Sequence, residues 1–142
     1  MNTIDFIKTS LASSQGWALG LILDMKDAPL TQPTSNGGNH PLWVLGHIVR
    51  AESDLLDAFI LGKPNRFPEL EAFSMGTTPS TDASKYPSLD ELMGKLEEIP
   101  AATLAHLDSL SEADLDKSTH APEEFEPAFA PWEPSSQPCL LT

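Results

Sequence analysis

Residues 39–61 constrain the fold more than any other stretch of the chain. They read Asn-His-Pro-Leu-Trp-Val-Leu-Gly-His-Ile-Val-Arg-Ala-Glu-Ser-Asp-Leu-Leu-Asp-Ala-Phe-Ile-Leu, one apolar helix with a start and a stop. Asn39 is a good N-cap, and Pro41 falls in the first turn, where a missing N–H costs nothing. Gly62 supplies a left-handed residue at the C-terminus and Pro64 follows closely. At about 100° per residue, Leu45, Ile48, Val49, Leu55, Leu56 and Phe59 share one face. Glu52 falls in the middle of it. A carboxylate there must be neutralised, paired or hydrogen-bonded, because burying it charged costs on the order of several kcal/mol. That leaves it three chemical roles, as a metal ligand, an orienting group or a general base. The plain alternative is a place at a cleft wall or subunit interface. His47 lies at the edge of the face beside Trp43, Ala51 and Ala58, with His40 on the same side.

The remaining chain supplies two more helices. Residues 3–25 carry Ile4, Ile7, Leu11, Ala18, Leu21 and Ile22 at helical spacing, with Phe6, Trp17 and Leu19 widening the stripe. Gly16 and Gly20, four apart, suit close approach of a neighbouring backbone. Pro29, Pro33, Asn36, Gly37 and Gly38 make 26–38 a loop. Residues 63–87 form a long connection with prolines at 64, 68, 79 and 87, and connections of this length commonly cover a cleft. Phe67, Leu70, Phe73 and Met75 are its candidate anchors. The third helix starts at Ser88, where Ser-Leu-Asp-Glu is a capping box, and runs to Leu110. Pro100 is expected to kink or interrupt it. Ser111-Glu-Ala-Asp-Leu opens one further short turn.

Composition excludes several function classes. A chain of 142 residues, 40% hydrophobic, is one domain with a core of its own. Eight basic against 21 acidic residues give a net charge of −13, which repels nucleic-acid backbones and anionic lipid. Neither partner is expected. No apolar run is long enough to span a bilayer and no signal-peptide plan is visible, so a cytoplasmic location is expected, consistent with the single Cys139. Paired-cysteine metal motifs, phosphate-binding glycine loops and nucleophile elbows are absent from the sequence.

At Pro131 the character changes. Pro-Trp-Glu-Pro-Ser-Ser-Gln-Pro-Cys-Leu-Leu-Thr has no helical or strand period, yet three amphipathic helices call for a fourth. Read from the third base of the Ala130 codon, the same nucleotides are constrained to small and apolar residues, ending where His, Asn, Asp or Tyr is allowed. Two readings stand: a frameshift that replaced the fourth helix, or a natural irregular tail. A DNA sequence whose shifted frame stops at once or turns polar would sink the first. The chain divides accordingly into 1–130, an incomplete helical bundle domain, and 131–142, the tail.

The run Asn39–Ile48 followed by Glu52 resembles the second-helix motif of the DinB/YfiT-like superfamily, as does the long connection with its Phe-Ser-Met-Gly-Thr stretch at 73–77. The resemblance covers about residues 1–130. It implies an all-α, up-and-down four-helix bundle, dimeric in many members. It also implies a divalent metal, zinc or nickel, held by one histidine of the second helix and an i, i+4 pair of the fourth. His47 corresponds to the first ligand; the pair has no counterpart here, since no histidine follows His120. One imidazole does not hold a catalytic zinc, which takes about three protein ligands. The implied function is a metal-dependent thiol transferase or hydrolase acting on a small molecule, with Glu52 as the catalytic candidate. The alternative is a non-catalytic helical protein that homo-oligomerises through an exposed bundle face. His40 is expected at the surface of the helix start, His106 at a solvent-facing rim and His120 in a loop.

Overall fold

A computed structural model describes residues 1–33 and 36–125. The tail at 131–142, with its two readings, lies outside the described residues. Three α-helices, α1 (Thr3–Met25), α2 (Pro41–Ser53) and α3 (Leu89–Asp108), are joined by shorter helical turns, and no strand occurs among the described residues. The chain is all-α, as expected. None of its described helices is long and apolar enough to cross a membrane.

The ends of α1 and α3 follow from local chemistry. Asn2 accepts from the Asp5 N–H at 2.8 Å, and Ser88 accepts from the Glu91 N–H while Glu91 returns the bond to the Ser88 N–H at 2.8 Å. These pairs satisfy backbone donors that a helix start leaves orphaned. Helix α3 runs unbroken through Pro100, against the expected interruption. Proline leaves the Leu96 carbonyl without its usual N–H partner, and Gln15 Nε2 of α1 donates to that carbonyl at 3.3 Å instead. The broken rung thereby becomes a link between helices. Gln15→Met should leave the carbonyl unpaired and lower the unfolding free energy by about 1 kcal/mol, measurable by chemical denaturation.

The 39–61 helix departs from its expected course at both ends. Its cap is His40 rather than Asn39: His40 Nδ1 accepts from the Trp43 N–H at 3.0 Å. The ring is 1% exposed, so the expected surface residue is buried. Beyond Ser53 the chain widens into a π-helical segment, Asp54–Ile60, in which the Leu61 N–H bonds back to Leu56 at 2.9 Å. Extra residues per turn rotate the later side chains off the 100° pattern. Leu55, expected on the core face, is 42% exposed, while Asp57 is buried. Gly62 closes the segment with φ +62°, as its left-handed role requires.

The core lies between α2, α3 and the connection, built on Leu45, Val49, Leu56, Phe67, Leu70, Phe73, Leu92, Leu96 and Ile99. Phe67, Leu70 and Phe73 anchor the connection as expected, whereas Met75 is exposed. Helix α1 packs on α3 and is sparingly buried, with Ile4 and Ile22 its only buried members. Phe6, Trp17 and Leu21 of its broad stripe face outward. Among the described residues no atom stands near where a side chain on Gly16 or Gly20 would begin, so none of them makes the expected close approach.

Candidate functional site

His47 stands on α2 one turn after Trp43, and their rings stack at 4.8 Å with planes 8° apart. Three contacts from the connection fix the pair. The Trp43 indole N–H donates to the Ala72 carbonyl at 3.2 Å and lies 3.3 Å from Thr77 Oγ1, and His47 Nδ1 lies 2.8 Å from the Phe73 carbonyl. A carbonyl only accepts, so Nδ1 carries a proton, and in the neutral ring Nε2 keeps its lone pair. No partner of Nε2 occurs among the described residues. This is the orientation by which a backbone carbonyl prepares an imidazole for a metal. His40 has the opposite arrangement: its Nδ1 accepts from Trp43, and its Nε2 donates to the Ser80 carbonyl at 2.9 Å.

Gly46 makes the His47 contact possible. A Cβ there would stand 2.6 Å from Cγ of Phe73 and closer still to two other ring carbons. Only glycine lets the Phe73 ring lie against α2, which sets the depth at which its carbonyl meets His47. Sequence reasoning missed Phe73 as the orienting residue because the contact spans 26 positions. Ser74 Oγ, next in the chain, is buried without a hydrogen-bond partner among the described residues.

Glu52 faces elsewhere. It lines two cavities between α1, α2 and α3, of about 270 Å³ and about 650 Å³, and His47 lines neither. Oε1 accepts from Thr103 Oγ1 at 3.0 Å, a hydroxyl that also lies 3.1 Å from the Ile99 carbonyl. His47 and Glu52 thus share neither cavity. Thr103 was legible: Ile99, Thr103 and Leu107 recur every fourth residue, which puts a hydroxyl on the buried stripe of α3. Burial pushes the Glu52 carboxyl above its ordinary value, and the Thr103 bond opposes this. A carboxyl raised on folding destabilises the fold once ionised, so stability declines as pH rises from 4.5 through the folded value. Glu52→Gln should accordingly melt higher than the parent at pH 7, with the gap closing toward pH 4. Calorimetry at the two pH values checks this.

His106 and His120 rim the larger cavity. The His120 N–H donates to the Phe59 carbonyl at 2.6 Å, and its ring covers Gly62. Neither joins His47. Tested against a divalent metal, His47 fits by orientation and the donor set does not: among the described residues no three His, Cys, Asp or Glu side chains could hold one ion. No reaction step is therefore assigned to a metal.

Comparison with curated proteins and with solved structures gave no match. The sequence profile of the DinB superfamily matches residues 12–135, a span holding most of α1, all of α2 and α3, and both histidines of the motif. With that match over most of its length, this chain belongs to the DinB superfamily.

Proposed function

We propose that the chain is a divalent-metal-binding DinB-type domain in which His47 supplies one ligand. One observation carries the reading. The Phe73 carbonyl holds the Nδ1 proton of His47, leaving an oriented Nε2 lone pair with no other task. Zinc or nickel is the ion the resemblance implies, and metal-dependent thiol transfer or hydrolysis of a small molecule the chemistry. The single cysteine agrees with a cytoplasmic setting. Elemental analysis of the purified chain, loaded with zinc and desalted, tests the reading. Metal should be retained in proportion to protein, lost in His47→Ala and kept in His106→Ala. Metal-free parent protein would exclude it.

A second reading has its own support. Val44, Ile48 and Leu55 on the α2 side, and Trp17 (78% exposed) and Leu21 on α1, are apolar and uncovered. Such faces suit a second copy of the chain and a non-catalytic homo-oligomer. A monomeric mass by light scattering at high protein concentration would count against it.

A further inference from the structure

We propose that the larger cavity between α1, α2 and α3 binds a small apolar primary amine, its ammonium group paired with Glu52. The cavity's volume of about 650 Å³ is in the range that small-molecule pockets occupy. Much of its wall is apolar, with Ile7 and Leu11 from α1, Leu55 and Ile60 from the π-helical side, and Leu107 and Leu110 from α3, while His106, Lys117 and His120 stand on its lining as well. Glu52 is the carboxylate amid these side chains. Its one hydrogen bond comes from a neutral hydroxyl, and no lysine, arginine or histidine forms an ion pair with it among the described residues. The other acid of the lining, Asp114, already has Lys117 at 2.5 Å.

A largely apolar wall around a carboxylate with no ion pair among the described residues is complementary to a cation on a hydrocarbon body. Residues 126–142 contain Glu126 and Glu133 and no lysine, arginine or histidine, so they offer Glu52 no cation. A second copy, at a net charge of −13, would bring mainly more acid. An amine from solution meets the need, and the acidic surface raises its local concentration. His47 is not among the residues that line this cavity.

Calorimetric titration of the full chain with 2-phenylethylamine, 2-phenylethanol and 3-phenylpropionate at pH 7 tests the proposal. The three share a hydrocarbon body and differ in head-group charge. The amine should bind at least about tenfold more tightly than the alcohol, and the carboxylate not at all. Glu52→Gln should bind amine and alcohol alike, its retained alcohol binding showing an intact cavity. Equal affinity for amine and alcohol in the parent, or an amine preference surviving in Glu52→Gln, would overturn it. So would no binding of any of the three. Nuclear Overhauser contacts to Leu55 or Leu107 from Trp132, or from a second copy, would then assign the cavity to those occupants.

Discussion

Gly46→Ala is expected to lower the stability of this protein by about 3 kcal/mol, the upper part of the range for overpacking a filled core. The added methyl would meet the Phe73 ring at 2.6 Å or less, and that ring is fully buried against α2. It cannot swing aside, because Tyr86 stacks on it at 5.0 Å. The backbone of the connection must shift outward, and the Phe73 carbonyl moves away from His47 with it. Thermal melts should fall by roughly 10 °C for a chain of this size. A double variant with Phe73→Leu should recover part of the loss, and the non-additivity measures the contact. Full additivity would mean that Gly46 is needed for something other than the ring.

The second large effect is expected at Asp57. Its carboxylate is 4% exposed and meets both ends of the Arg66 guanidinium, at 2.7 and 2.9 Å. The Arg66 N–H donates at 3.1 Å and Ser53 Oγ at 3.0 Å, so the charge is nearly fully satisfied. Removing one partner of such a pair strands the others, and Asp57→Ala should cost about 3–5 kcal/mol. The hydrogen bonds from Arg66, more than any other contact, hold the Asp57 carboxyl below its usual value of 3.8. A carboxyl lowered on folding stabilises fully above its unfolded value and loses that contribution as pH falls through the folded one. The gap between the parent and Asp57→Asn should therefore be widest near neutral pH and narrow below 3.8. Urea titrations at a series of pH values would reveal it, and a gap independent of pH would contradict the pairing.

Both residues show where the sequence was readable. The bounds of α1 were legible from its apolar spacing, and the Ser88 capping box from local cap chemistry. Gly62 and Pro41 were legible for the same reason. The stretch Asp54–Ile60 was not, since a fixed angle per residue assumes a uniform helix and the π-helical turn breaks it. That turn brings Asp57 inward to Arg66 and sends Leu55 outward. His40 was misplaced because imidazole is an uncommon helix cap, and nothing local marks it as buried. For the candidate site, the sequence pointed to His47 and Glu52 as the residues of interest. In the structure His47 is oriented by Phe73, whereas Glu52 bonds Thr103 and lines a cavity that His47 does not.

The central claim is that His47 is held as an Nε2 donor for a divalent metal, and long-range proton–nitrogen NMR of the histidine rings tests it most directly. In the metal-free chain at pH 8, His47 should be the Nδ1–H tautomer and His40 the Nε2–H tautomer, each set by its carbonyl partner. Added zinc should then shift the Nε2 resonance of His47 and leave His40 unmoved. An Nε2–H tautomer at His47, or a resonance indifferent to zinc, would contradict the account.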